Sequence, residues 1–202
     1  MILRTTSINN SDDNIVTIHQ PAFFPWYPFF EKLRSANTFV FLTRCQYEKN
    51  GYQNRFNIGS NWYTMSVKKG LIPICEKKYA NPQYDWSKIK KSLRGEYGEI
   101  LDEFDECISE NLCQTNIAII EKICKLLKIR TSLHLDIETT NNGTERLVEI
   151  CSHYKASQYI AGSSGLNYLD VDQFKSCDIE VSYQNLDNVK KIPVLQAIKE
   201  ML

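Results

Sequence analysis

Residues 15–42 constrain this chain's fold more than any other stretch. Ile15-Val16-Thr17-Ile18 is short, apolar and β-branched, the pattern of a buried strand. Thr38-Phe39-Val40-Phe41-Leu42 reads as a second strand. Between them Phe30, Leu33 and Arg34 share helical spacing, which predicts a helix from Phe29 to Ala36 with Pro28 near its first turn. Strand, loop, helix, strand is a βαβ unit, and such a unit sets its two strands parallel. The expected fold class is therefore α/β, with a mostly parallel sheet flanked by helices.

The rest of the chain supplies further elements. Phe56–Ile58 and Trp62–Val67 read as strands of a hairpin around Gly59-Ser60-Asn61. Residues 68–84 read as a loop. Asp85 is placed to cap a helix that buries Trp86, Ile89, Leu93 and Tyr97. Leu112, Ile119, Ile120, Ile123, Leu126 and Leu127 form the next helical stripe. Asn142 and Glu145 resemble a capping box for a helix burying Leu147, Val148, Cys151 and Tyr154. Gln158-Tyr159-Ile160 and Ile179–Tyr183 read as strands around a short helix, Asp172–Cys177. Pro193 opens a last helix with Val194, Leu195, Ile198 and Leu202 inward. Residues 15–202 are expected to form one domain behind a polar leader, 1–14.

Composition removes several function classes. The formal net charge is zero, which weighs against nucleic acid as a partner. No apolar run approaches the roughly 20 residues that span a bilayer, so no membrane insertion is expected. The leader has no apolar signal stretch, and the expected location is the cytoplasm. Seven cysteines occur, none spaced C-x-x-C, so no metal site is expected and the thiols read as reduced and structural. From Lys68 to Arg94 eight basic residues face Glu76 and Asp85, and from Glu96 to Glu110 seven acidic residues meet no basic one. Two readings stay open: complementary solvated helix faces, or a basic rim for a phosphorylated ligand.

Three constellations could carry chemistry. His19-Gln20-Pro21 ends the first strand, and ligands of open α/β sheets collect at carboxyl ends of strands. An imidazole there can act as acid, base or phosphate contact. The second is Gln46 to Arg55, in which Gln46, Lys49, Asn50, Asn54 and Arg55 are candidate substrate contacts beside Gln20. The third is Gly162-Ser163-Ser164-Gly165, whose Gly162, Ser164 and Gly165 belong to a turn able to present amides to an anion. The aromatic run between them, Phe23, Phe24, Trp26, Tyr27 and Phe29, is either a core lid or, through Trp26 or Tyr27, a stacking face. His134 and His153 lie on helix-associated segments and read as structural. No P-loop, dinucleotide fingerprint or nucleophile elbow occurs.

Several of these motifs together resemble the WbqC-like family. They are His19-Gln20-Pro21-x-x-Phe24-Pro25-Trp26, Phe30-x-Lys32, Phe39-Val40-x-Leu42 and Gln46-Tyr47-x-Lys49-Asn50-x-x-Gln53-Asn54-Arg55. The carboxyl half adds Thr144-x-Arg146-Leu147-x-x-Ile150-Cys151 and Tyr159-Ile160-Ala161-Gly162-x-Ser164-Gly165-x-x-Tyr168-Leu169-Asp170, then Phe174. The likeness runs over about residues 15–185. It departs at Pro28, where the family usually has glycine, and at Thr43-Arg44, where an acidic pair is common.

That family is associated with bacterial surface-polysaccharide clusters, O-antigen above all. The resemblance implies a role in making or decorating a polysaccharide sugar. The leading expectation beside it is an enzyme acting on an activated amino sugar, with acyl or aminoacyl transfer to the sugar amine as the reaction. The partner would be a small molecule, a nucleotide-linked sugar. His19 would be the base; Gln20, Gln46 and Asn54 would orient the acceptor; Lys49 and Arg55 would hold phosphate or carboxylate. Two alternatives stand beside it. The layout is similar to a Rossmann-like nucleotidyltransferase, by analogy alone. A non-catalytic sugar- or partner-binding module would instead expose residues 23–30.

Overall fold

The computed structural model describes residues 13–202. The expected leader lies outside the described residues apart from Asp13 and Asn14. Asn14 is already tied to the fold: its Oδ1 accepts from Thr38 Oγ1 at 3.1 Å and its carbonyl from Ser157 N at 3.0 Å.

Among the described residues seven strands and six α-helices follow one another: β1 (Ile15–His19), α1 (Tyr27–Arg34), β2 (Thr38–Phe41), β3 (Arg55–Ile58), β4 (Asn61–Thr64), α2 (Pro82–Asp102), α3 (Leu112–Leu126), β5 (Ser132–Leu135), α4 (Gly143–His153), β6 (Gln158–Ala161), α5 (Val171–Lys175), β7 (Glu180–Tyr183) and α6 (Val194–Met201). Five strands make one sheet, in the order β5-β2-β1-β6-β7, and every pair in it is parallel. β3 and β4 form a separate antiparallel hairpin. The α/β class, the parallel sheet, the opening βαβ unit and the hairpin thus stand as read from the sequence.

Alternation along the central strands decides which helix covers which face. On β2, Phe39 and Phe41 enter one apolar cluster and Val40 the other. The larger cluster takes residues from α1, α2, α3 and α6, and the smaller takes Leu147 and Ile150 of α4 and Phe174 of α5. Thr17 is wholly buried in β1, and its hydroxyl donates to Ile160 O at 2.8 Å.

Several local expectations change. Helix α2 starts at Pro82, with Asn81 as its N-cap. Asp85 lies inside its first turn, and its carboxylate accepts from Ser66 N at 2.7 Å and from the Ser66 hydroxyl. Asn142 precedes α4, yet its side chain makes no capping bond. His134 sits in β5, a strand the sequence reading missed, and pairs with Val40. Leu126 and Leu202 turn outward, since both end their helices. Of the basic run only Lys90 of α2 pairs, among the described residues, with the acidic run, reaching Asp102 at 2.6 Å and Asp105 at 2.7 Å, while Lys122 of α3, from outside the run, reaches Glu106 at 2.9 Å. Among the described residues no helix is long and apolar enough to cross a membrane.

Candidate functional site

The order of the sheet fixes where a crevice must form. From β1 the chain winds outward through β2 to β5, then returns past β1 to lay down β6 and β7 on the other side. The connections leaving β1 and β6 therefore diverge, and a gap opens at their carboxyl ends. His19 is the last residue of β1, and Gly162-Ser163-Ser164 follow β6 directly. A cavity of about 400 Å³ lies there, lined by His19, Gly162, Ser163 and Ser164. Phe24, Trp26, Phe29 and Phe56 form apolar walls, and Gln184, Lys191 and Ile192 close a third side. That third side is tied to α1: Tyr27 N donates to Ile192 O at 3.0 Å and Gln184 Nε2 to Pro28 O at 2.6 Å.

The loop after β1 is held in an unusual shape. Phe24 has φ of 46°, the left-handed region that a bulky residue occupies only when packing compels it. Its ring supplies that packing, stacked on Trp86 at 5.8 Å and edge-on to Phe104 at 5.0 Å. Phe23, Phe24, Phe29 and Phe30 are all buried, whereas Trp26 at the cavity lip is 48% exposed. The run is thus a core lid with one outward face.

His19 is exposed at the end of β1, and its ring opens onto the cavity. Its Nδ1 lies 2.8 Å from Gln20 O, an acceptor, so Nδ1 carries the proton and Nε2 keeps its lone pair. Phe29 packs edge-on at 5.1 Å. Desolvation first, then the charge of Lys32, push the imidazole pKa down to about 4, against a smaller rise from the Gln20 carbonyl. The ring is therefore neutral near pH 7. Lys32, which the sequence reading named in a family motif but gave no role, is its neighbour. It sits on the inward face of α1, 3% exposed, and lines the cavity, where burial lowers its pKa to about 8. The available signal was a lysine between Phe30 and Leu33, on the apolar side of an amphipathic helix.

The second constellation mostly frames the site rather than lining it. Gln20 Oε1 accepts from Gln53 Nε2, and Phe23 N donates to Tyr52 O at 2.9 Å. Buried Asn116 of α3 donates to Pro21 O at 2.9 Å and to Gln53 O at 2.7 Å, so one side chain holds both loops. Asn54 is buried between Tyr47 Oη at 3.0 Å and Met65 O at 2.7 Å, a structural role. Arg55 lies over the Trp62 ring at 4.2 Å and donates to Asn50 O. Gln46, Lys49 and Asn50 are exposed, and none of the three lines the cavity. Gly165 is buried: a Cβ there would stand 3.0 Å from Ala161 Cβ, so its bareness serves packing. Imidazole and serine turn converge on one cavity, and the Arg55 guanidinium does not join them. Tyr52, Phe56 and Asn57 represent that segment there instead.

Asp136, which the sequence reading passed over, organises the neighbouring loop. Its carboxylate accepts from Thr43 Oγ1 at 2.6 Å, Thr43 N at 3.0 Å, Arg44 N at 3.2 Å and Arg146 Nη2 at 2.6 Å. Thr43 and Arg44 thus present main-chain donors to an acid supplied from just beyond β5. Among the described residues no group of three or more His, Cys, Asp or Glu side chains is placed to hold a metal ion.

The cavity's lining carries His19, Lys32 and Lys191 and no carboxylate among the described residues, in a chain of zero net charge. An anionic ligand with an apolar or ring portion fits such a lining. Comparison with known proteins adds a family: the model described as the WbqC-like protein family matches residues 20–196. An uncharacterized protein of Mycobacterium tuberculosis is 28% identical over 193 residues, spanning 87% of this chain and 84% of that protein. No solved structure matches the chain.

Proposed function

The chain belongs to the WbqC-like protein family, and from that premise we propose that it is an enzyme of bacterial surface-polysaccharide biosynthesis acting on a nucleotide-linked amino sugar. The observation that carries the reading is the cavity at the carboxyl ends of β1 and β6, where His19, Ser163 and Ser164 line a cationic, aromatic-walled space. The aromatic walls suit a sugar ring, and the exposed faces of Trp26 and Tyr52 at the lip suit a nucleobase.

The reaction is acyl or aminoacyl transfer to the sugar amine. His19 Nε2 takes a proton from the acceptor nitrogen as that nitrogen attacks the carbonyl of an activated ester or thioester donor. The tetrahedral adduct collapses by breaking the carbonyl–oxygen or carbonyl–sulfur bond, the departing alcohol or thiol taking that proton from His19. The hydroxyls of Ser163 and Ser164 donate to the oxygen on which charge develops. Desolvation is the main cause of the low imidazole pKa and the Lys32 charge the lesser one; an anionic substrate beside Lys32 offsets that lesser part. His19→Ala should lower turnover by roughly 10²–10⁴-fold while the melting temperature stays near that of the wild type. A thermal-shift panel of nucleotide-linked amino sugars tests the substrate class, with stabilisation by at least one member expected. No shift across the panel would sink the reading, and full turnover by His19→Ala would remove the base.

The sheet order favours one alternative, a nucleotidyltransferase-like enzyme, because the winding reversal between β1 and β6 is where nucleotides bind in doubly wound folds. Stabilisation by ATP or CTP alone, and by no nucleotide sugar, would select it.

A further inference from the structure

We propose that Lys32 is a ligand-dependent cation: its counterion is the anionic phosphate or diphosphate of the bound substrate, received at the floor of the β1–β6 cavity. This deepens the reading above, since it rests on that cavity being the substrate site.

The protein contains two almost fully buried lysines, and it treats them differently. Lys77 is 2% exposed, and its Nζ donates to Lys68 O and to Gly70 O, both at 2.6 Å, beneath the Tyr47 ring at 4.5 Å. Its hydrogen-bonding needs are met within the chain. Lys32 is 3% exposed, and its Nζ finds Ile18 O at 3.4 Å, long for such a bond. An ammonium has three donors. No carboxylate of the described residues pairs with this one.

The surroundings add no negative charge. From β1 comes His19, from α1 itself Phe29, from the turn after β6 Ser163 and Ser164, and from the segment before α6 Lys191. Every one of these is neutral or cationic. A buried ammonium among such neighbours is costly unless something outside the chain completes it. The cavity it lines is the place from which a partner can come. A carboxylate of the protein would have served stability better and would have repelled an anionic ligand. Burial already weakens the lysine's hold on its proton, and an arriving anion would restore it.

Isothermal titration with inorganic pyrophosphate tests the proposal, using wild type, Lys32→Met and Lys191→Met at pH 7. Lys32→Met should weaken binding by tenfold or more, and Lys191→Met, at an exposed position, should weaken it less. The unliganded Lys32→Met protein should melt at or above the wild-type temperature. A structural lysine would give the opposite shift. Sulfate, whose charge is constant between pH 7 and pH 10, supplies a readout that needs no variant, and its affinity for the wild type should fall across that range. Wild-type affinity in Lys32→Met, no pyrophosphate binding by the wild type, or sulfate affinity independent of pH would each overturn the assignment. Lysine-dependent pyrophosphate binding with no response to any nucleotide sugar would leave this proposal standing and remove the sugar reading.

Discussion

At the scale of single residues, two titrating groups in one cavity give the molecule opposite debts to pH. His19 binds its proton more weakly in the folded chain than in the unfolded one, with a pKa of about 4 against 6.5. The unfolded state therefore takes up more protons between these values, and the stability tied to His19, complete above pH 6.5, is lost as pH falls toward 4. Measured by urea denaturation, the stability of wild type relative to His19→Asn should fall over that window. For Lys32 the window lies between about 8 and 10.5. Its penalty is full below pH 8, on the order of 3 kcal/mol for a shift of that size, and fades as pH rises. Wild type should accordingly gain on Lys32→Met as pH rises through that range. The place of His19 in the cavity lining was legible because the residue closes a strand and a dense polar and aromatic loop follows it. Lys32 was not, because a lysine inside a helical pattern ordinarily lies with its stem on the surface and its charge in water. Arg55 shows the reverse failure: its residue type fits phosphate, but the Trp62 face was a nearer partner.

Elements were legible in proportion to how much apolar surface they bury. β1 and β2 are central strands, packed on both faces, and their β-branched and aromatic runs declared them. β5 is a sheet edge with a mostly exposed pattern, and its pairing to β2 is a main-chain matter that side chains barely record. Helix α2 was found by its stripe, but its start was misplaced because Asp85 looked like a cap when its carboxylate was committed to Ser66. The same helix carries a removable weakness. Gly95 is exposed in its interior, with nothing within 4 Å of a Cβ built there. Gly95→Ala should raise stability by about 1 kcal/mol, read as a higher urea midpoint at unchanged slope.

For the molecule as a whole, the sequence could announce a parallel sheet but not the sequence of its strands. The reversal between β1 and β6 depends on β5 finding the far edge across ninety-odd residues of intervening chain, a tertiary outcome with no local mark. What holds the result together at the crevice is Asn116, wholly buried in α3, which bonds Pro21, Gln53 and, through its Oδ1, the Tyr79 hydroxyl at 3.1 Å. Asn116→Leu keeps the branched heavy-atom skeleton and strands all three polar partners. It should cost roughly 2–4 kcal/mol, and should weaken ligand affinity although the residue is outside the cavity lining. A variant that melts normally and binds normally would show the clamp to be dispensable.

The third wall of the cavity has a consequence for how the protein comes into being. Gln184, Lys191 and Ile192 are laid down only after β7. A nascent polypeptide can therefore complete all five parallel strands and still lack the cavity's third wall. The proposed ligand would find an enclosed berth only once that closing stretch is in place, so its occupancy would mark a finished molecule.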